Sequence, residues 1–537
     1  TRVLAKQQAA SPGTPDLSVY YRVQLPQGAD HEAVAARLTQ EESVAGAYVK
    51  PPAVVDGPSV ERTTEVLLTA ASADFTSRQS YLDAAPAGVN ARSAWTTAGG
   101  DGAGIEVMVV GGAWRLEHED LHGDAAGVIA GTQIDALSFR NHGTAMLGVV
   151  RADRNSFGVT GVAPACRARQ VATFGLGTAA AINTAADALP VGGILLVEWQ
   201  RPGPGATGVG SAGFIALEWW PDDFAAIKAA TTKGVIVVAP AGNGGVSLDD
   251  PRYNQPAPGF PPTWRNPFDR TQADSGSIIV GAGAPPPNTH GRDHGAARSR
   301  LAFSNYGLCV DAQAWGAEVT TLGYGDLQGG DESIWYTDVF GGTSAAAAIV
   351  AGVMTSLQGV NLNGAKRAPL TPADARHDLR VSGSPQQDGA NPSTQRIGSL
   401  PELPALIALL PPAKSEAKDG KDTKNEGKDN KDNKDGKDNK DNPDKLTKDN
   451  KDHKDDKDGK DRKDHKDDKG DKVETQKELK DFGREKQFTD MPNPASVVPA
   501  PAAWPVTTTD PVQHFIPAEH RPDLATAALR DEPDVAQ

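Results

Sequence analysis

Apolar and polar positions divide residues 71–411 into short continuous apolar runs and longer segments with helical spacing. The runs at 105–110, 194–197 and 235–238 predict strands that are buried on both faces of a sheet. Alanine-rich segments such as 178–189 predict helices between these strands. Strands that alternate with helices favour a parallel sheet covered by helices on both faces, which is an α/β fold.

The first 70 residues carry a separate and smaller pattern. Residues 19–25 and 44–49 have the composition of strands, and residues 31–38 between them have one apolar helical face. The sequence therefore predicts a small β-α-β unit within residues 1–70, ahead of the large domain at 71–411. Residues 1–16 are polar, and we expect them to be disordered.

The pattern that builds a core ends near residue 411. Residues 412–472 repeat lysine and aspartate at close to three-residue spacing, with basic and acidic side chains in equal number. Such a segment has no apolar face to bury, so we expect a solvated, flexible, low-complexity linker. The alternative is an arm that binds a surface or a metal with help from His453 and His465. Residues 473–537 are proline-rich and acidic, and we expect a disordered tail.

Composition narrows the range of partners. The chain has 537 residues and a formal net charge of −15, which disfavours binding to nucleic acid. It has no uninterrupted run of 18 apolar residues and no secretory signal at its first residues, so we expect a soluble protein without a membrane span, in a compartment that the sequence leaves open. Cys166 and Cys309 are far apart and outside any metal-ligand spacing, which favours two buried thiols over a disulfide.

Ser344 carries the strongest chemical signal. It follows Gly341, Gly342 and Thr343, and it opens an apolar segment that predicts a helix over residues 344–357. Glycines permit a tight turn, and a helix N-terminus supplies free N–H groups and partial positive charge beside a developing oxyanion. This arrangement predicts a nucleophilic serine. A serine that only caps a core helix is the alternative.

Two further segments supply what a nucleophilic serine needs. His142, followed by Gly143 and Thr144, is predicted to be the general base that accepts the serine proton and returns it to the leaving amine. Asn243 follows a predicted buried strand, where its amide can donate a hydrogen bond to an oxyanion. A structural asparagine with left-handed backbone geometry is the alternative for Asn243.

These motifs, in this order, resemble those of the subtilisin-like serine proteases, the subtilases. The family's Gly-Thr-Ser-x-Ala, His-Gly-Thr and Ala-Gly-Asn motifs match residues 342–346, 142–144 and 241–243. Residues 118–121, 161–164 and 303–307 resemble further family segments. The resemblance covers about residues 71–411.

The resemblance implies a subtilisin-like parallel sheet and hydrolysis of peptide bonds in a peptide or protein substrate. It implies no required cofactor. Relatives often bind structural calcium, but no calcium ligands can be assigned in this sequence. The small β-α-β unit resembles the propeptides of the family, which assist folding and inhibit the peptidase; an unrelated N-terminal cap is the alternative. The oligomeric state stays open.

The acid of the catalytic triad is missing from the position where the resemblance locates it. Counting from His118 puts the acid at Gly111, or at Val109 in relatives that carry it two residues earlier, and neither residue can ionise. Glu198 ends a predicted strand that runs beside the catalytic histidine in the family. We expect Glu198 either to approach His142 as a substitute acid or to contact a basic substrate residue; a solvent-facing glutamate is the alternative.

Two functions follow from these residues. The first is a serine endopeptidase that acts through an acyl-enzyme on Ser344 and is weakened by the loss of the triad acid. The second is a pseudoprotease, a peptide- or protein-binding module that keeps the cleft without turnover. The presence of Ser344, His142 and Asn243 favours the first, whereas the missing acid favours the second.

Overall fold

The computed structural model describes residues 2–5, 15–23, 25–26, 28–55, 72–122 and 127–412. The predicted flexible linker at 412–472, apart from its first residue, and the predicted disordered tail at 473–537 lie outside the described residues. Residues 56–71 also lie outside them.

Strands and helices follow one another through the described chain. The strands are β1 (Arg2–Ala5), β2 (Tyr20–Arg22), β3 (Val44–Tyr48), β4 (Glu106–Gly111), β5 (Val128–Ala130), β6 (Arg167–Ala172), β7 (Ile194–Val197), β8 (Gln200–Pro202), β9 (Phe214–Ala216), β10 (Ile236–Pro240), β11 (Ile278–Gly283), β12 (Ala312–Trp315), β13 (Val319–Leu322) and β14 (Tyr336–Phe340). The helices are α1 (His31–Leu38), α2 (Ala91–Ala94), α3 (Leu137–Arg151), α4 (Thr178–Ala188), α5 (Pro221–Lys233), α6 (Gly342–Gly359), α7 (Pro372–Val381) and α8 (Leu403–Leu409).

A seven-stranded parallel sheet with the order β12-β11-β10-β7-β4-β6-β5 forms the centre of the large domain. Val107 and Val109 of β4 belong to the core on the face covered by α3 and α6. Met108 and Val110 belong to the core on the opposite face, beneath α4 and α5. Because successive side chains of a strand point to opposite faces, this alternation confirms the predicted α/β fold with helices on both sides.

Helix α6 runs through the core of this domain. Together with the turn that continues it to Gly364, it is the one helical segment among the described residues that is long and apolar enough to cross a bilayer. Its hydrophobicity is that of a core helix, because its residues are almost all buried against the sheet and α3.

The N-terminal unit contains one strand more than predicted. Strand β1 lies between β2 and β3 in a three-stranded antiparallel sheet, and α1 begins at His31, where the Asp30 side chain accepts a hydrogen bond from the N–H of Ala33. The expectation of disorder over residues 1–16 was therefore wrong for residues 2–5, whose backbone pairs with a strand on each side.

From the sequence, residues 144–150 are predicted to form a helix that follows His142, and Asp222 is predicted to cap a helix that ends at Gly234; both helix starts were wrong. Helix α3 begins at Leu137, so His142 lies inside the helix rather than before it. Helix α5 begins at Pro221, whose fixed φ suits the first helical position, so Asp222 lies within the first turn and does not cap the helix. Cys166 and Cys309 are separate buried thiols, as predicted.

Candidate active site

Ser344 lies in the first turn of α6, at the end of a glycine turn that follows β14. Gly342 has a φ of 89°, which favours glycine, and its N–H donates to the carbonyl of Gly316 at 2.8 Å. Ser344 is the third residue of α6, so its own N–H has no acceptor within the helix. Its Oγ lies 3.5 Å from the backbone carbonyl oxygen of Glu198, which places the hydroxyl at the carboxyl end of β7.

His142 is carried to the same region by α3. The imidazole is buried, and its ring packs edge-on against Phe340 with the ring centroids 5.6 Å apart. Phe340 is the last residue of β14 and comes four residues before Ser344. The structure therefore brings the predicted base and the predicted nucleophile to one edge of the sheet.

Asn243 follows β10 and is oriented by the residue before Ser344. Its Oδ1 accepts hydrogen bonds from the N–H of Thr343 at 2.9 Å and from the Thr343 hydroxyl at 2.8 Å. With the oxygen engaged there, the amide nitrogen faces Gly342, where a Cβ would lie 3.2 Å from Nδ2. The Asn243 N–H donates to the side chain of Gln200 at 2.6 Å, which fixes the loop. An amide donor therefore faces the turn that carries Ser344.

The positions predicted for the missing acid lie on β4. Val109 is completely buried in the apolar core, and Gly111 ends the strand. Strand β7 runs parallel to β4 with Val197 opposite Val110, so the next residue, Glu198, lies opposite Gly111. Side chains of paired residues in a sheet project to the same face, here the face covered by α3 and α6.

The carboxyl group of Glu198 occupies the space that a side chain on Gly111 would fill. A Cβ built on Gly111 would lie 2.6 Å from Oε1 of Glu198 and closer still to Cδ and Oε2. Any residue larger than glycine at position 111 would therefore require the Glu198 carboxyl, the end of a flexible side chain, to move. The predicted solvent-facing alternative for Glu198 was wrong, because its side chain is 1% exposed.

Trp114, which no sequence motif indicated, holds this carboxyl. Its indole N–H donates to Oε1 of Glu198 at 3.1 Å, and the backbone N–H of Gly112 also donates to the carboxyl. Burial nevertheless raises the pKa of Glu198 to about 8, since these donors offset only part of the lost hydration. The indole nitrogen would lie 2.8 Å from a Cβ on Gly143, so Trp114 reaches from Glu198 to the residue after His142.

A segment of the N-terminal region runs along the strand that leads away from Glu198. Val54 forms an antiparallel bridge with Gln200, with backbone hydrogen bonds of 2.9 Å and 3.1 Å in the two directions. The chain direction of this segment points from Gln200 towards Glu198 and Ser344. The segment therefore lies where an extended peptide would pair beside the serine.

The other motif residues support loops around this edge of the sheet. His118 bonds to the carbonyl of Trp335 at 2.9 Å, and Asn305 donates to the carbonyls of Phe214 and Ala241 at 2.7 Å each. Within the described residues, no group of three or more His, Cys, Asp or Glu side chains could hold a metal ion.

Part of the chain is similar to known proteins. Residues 199–398 match the Peptidase S8 model, which describes the subtilase family; this range begins one residue after Glu198 and includes Asn243 and Ser344. Subtilisin BL from Lederbergia lenta is 30% identical over 151 residues, 27% of this chain and 50% of subtilisin BL. The chain thus spans about half the length of this curated relative.

Three solved structures are also similar to the chain. They are a protease from Pseudoalteromonas arctica PAMC 21717 (20% identity, TM-score 0.43, 63% of this chain and 99% of that chain), a cold-adapted subtilisin-like serine proteinase (19%, 0.36, 56% and 89%) and the prenylagaramide maturation protease PagA (20%, 0.41, 60% and 98%).

Proposed function

We propose that the chain is a serine-type endopeptidase, from the premise that residues 199–398 match the model of the subtilase family. Ser344 attacks the carbonyl of a bound peptide and forms an acyl-enzyme. His142 accepts the hydroxyl proton and donates it to the leaving amine. The amide of Asn243 and the N–H of Ser344 stabilise the oxyanion at the start of α6.

The proposal includes a relocated acid: Glu198, at the end of β7, replaces the aspartate that relatives carry at the end of β4. The observation that carries it is the position of the Glu198 carboxyl within the side-chain space of Gly111. The longer glutamate side chain offsets the one-strand displacement of its backbone. From there the carboxylate orients His142 and stabilises the imidazolium that forms when Ser344 loses its proton.

The buried environment of Glu198 sets the conditions for this role. With a pKa of about 8, the carboxyl is largely protonated at neutral pH and gains its charge as the pH rises. A neutral carboxyl still accepts a hydrogen bond but provides little stabilisation of an imidazolium. The proposed peptidase is therefore most active in the alkaline range.

The N-terminal unit fits the proposed propeptide role through one contact in particular. The Val54–Gln200 pairing occupies the strand edge beside Ser344 that a substrate would need. A substrate competes with this segment, so the unit lowers activity until it is displaced or cut away.

A peptide-binding module without turnover is the second candidate. It is favoured by the absence of an ionisable side chain at Gly111 and by the high pKa of the acid that stands beside it. In this case the retained cleft binds peptides, and Ser344 stays unreactive.

A fluorophosphonate probe tests the two candidates. The endopeptidase labels at Ser344 at pH 9, and Ser344→Ala abolishes both labelling and peptide hydrolysis. Glu198→Gln slows both reactions while the fold is retained, as checked by circular dichroism. Absence of labelling at Ser344 between pH 6 and 10 would leave the binding module as the function.

A further inference from the structure

The segment that pairs with Gln200 is also held at a second place, by the side chain of Lys50. Its Nζ lies 2.7 Å from Oδ2 of Asp222, 2.7 Å from Oδ1 of Asp223 and 3.3 Å from the hydroxyl of Thr178. Only 4% of the Lys50 side chain is exposed. An ammonium group is buried to this extent only where charges and hydrogen-bond acceptors are arranged to receive it.

The acceptors belong to the large domain. Asp222 and Asp223 follow Pro221 in the first turn of α5, and Thr178 begins α4. The side chain of Asp223 is completely buried, and that of Asp222 is nearly so. Both carboxylates are therefore carried by the first turn of α5.

Arg201 is the cation that the large domain itself provides here. Its guanidinium lies 3.3 Å from Asp223 and donates to the Thr178 hydroxyl at 2.9 Å. It also donates to the backbone carbonyl of Pro51. Lys50 and Arg201 thus both contact Asp223, and Lys50 contacts Asp222 as well. The large domain therefore presents two buried carboxylates to the Lys50 ammonium.

Tyr48 adds a second anchor two residues before Lys50. Its hydroxyl donates to Oδ1 of Asp222 at 2.9 Å, and its ring packs against Phe260 with centroids 5.0 Å apart and against Trp220 at 6.1 Å. Tyr48 and Lys50 thus insert an aromatic ring and an ammonium group into the large domain from the same segment. This segment then pairs with Gln200 and runs towards Ser344.

We propose that Asp222 and Asp223 form a subsite that selects lysine in peptides that bind the cleft, at the position four residues before the residue that pairs with Gln200. The inference rests on the proposed function, because it treats residues 48–55 as occupying the path of a substrate. Lysine suits the site better than arginine, since Arg201 already fills the space on one side of Asp223 and leaves room for a compact ammonium.

Peptide binding to the inactive full chain tests this subsite. Ser344→Ala prevents turnover, and Lys50→Met with Val54→Pro weakens the competing segment, which otherwise binds at a high effective concentration. The probes are a fluorescein-labelled peptide of residues 46–55 and the same peptide with norleucine in place of lysine. Fluorescence anisotropy gives their two dissociation constants.

We expect the lysine peptide to bind at least about tenfold more tightly than the norleucine peptide. Asp223→Asn should bring the ratio close to one, whereas Asp187→Asn, an exposed aspartate on α4, should leave it unchanged. Equal dissociation constants in the chain with both aspartates would overturn the proposal, as would the absence of binding by either peptide. This comparison needs no aspartate variant, so misfolding of Asp223→Asn does not affect it.

The proposed peptidase activity is tested separately by fluorophosphonate labelling of the chain that retains Ser344. A lysine preference in a chain that does not label would support the subsite and contradict the peptidase. Labelling without a lysine preference would support the peptidase and contradict the subsite.

Discussion

Removing the charge of Glu198 without changing its shape tests the relocated acid most directly. Glu198→Gln keeps an oxygen that can accept the hydrogen bond from Trp114 and leaves the space beside Gly111 filled. In subtilisin, loss of the acid alone lowers turnover by about 3 × 10⁴. At about 1.4 kcal/mol per factor of ten, this sets a limit near 6 kcal/mol for the same change here. We expect a fall in kcat of about 10³–10⁴ at pH 9, with little change in KM.

Moving the acid back to β4 completes the test. Gly111→Asp alone should displace the Glu198 carboxyl and lose activity, because its Cβ would lie 2.6 Å from Oε1 of Glu198 and two carboxyl groups would share one site. Glu198→Ala removes the collision along with the acid. The double variant Gly111→Asp/Glu198→Ala should then have a kcat at least about 10²-fold higher than that of Glu198→Ala.

The assay is hydrolysis of a fluorogenic peptide under single-turnover conditions, with titration of Ser344 by a fluorophosphonate to count active sites. Gly111→Asn/Glu198→Ala is the matched control, since it has the shape of the rescue variant without its charge and should show no recovery. The reasoning is refuted if Glu198→Gln retains kcat within about threefold, or if the aspartate rescue is no better than the asparagine control.

The remaining predictions concern pH, the oxyanion donor and the N-terminal unit. The kcat/KM of the wild type should rise with pH through an inflection near 8, where Glu198 loses its proton, and Glu198→Gln should lack this inflection. Below about pH 4.5 Glu198 is protonated in both the folded and unfolded states, but between 4.5 and 8 only the folded state holds the proton. The free energy of unfolding should therefore fall as the pH rises through this range. At pH 9, denaturant titration should give Glu198→Gln a free energy of unfolding that is higher than that of the wild type by up to about 5 kcal/mol. Asn243→Asp keeps an acceptor for Thr343 but removes the amide donor, so kcat should fall by about 10²–10³ in steady-state hydrolysis. The chain with its N-terminal unit should cut itself in the segment after Val55, as mapped by mass spectrometry, and Ser344→Ala should stay intact.

Each of these predictions has an outcome that contradicts it. A pH profile unchanged by Glu198→Gln would assign the inflection to another group, and equal denaturation midpoints at pH 9 would mean that burial of Glu198 costs little. If Asn243→Asp kept its turnover, another donor would have to stabilise the oxyanion. Self-cleavage that persists in Ser344→Ala would point to a contaminating protease.

The sequence by itself determined the fold class and the glycine turn that precedes Ser344. Continuous apolar runs predicted β7 and β10 closely, because a strand buried on both faces has to be apolar at every position. The Gly341-Gly342-Thr343 turn predicted the start of α6 within two residues, because a chain with φ near 89° at position 342 favours glycine. Such local requirements are visible in one segment without knowledge of its neighbours.

Only the tertiary structure decided how close Glu198 lies to the position of the missing acid. Gly111 and Glu198 are 87 positions apart in the sequence, and no local pattern connects them. The pairing of β4 with β7 brings them side by side. A Cβ at position 111 would overlap the Glu198 carboxyl, so glycine leaves room for this carboxyl. Trp114 and the Lys50 site were missed for the same reason. The partners of a buried polar group come from distant strands and helices, and the fold alone brings them into contact.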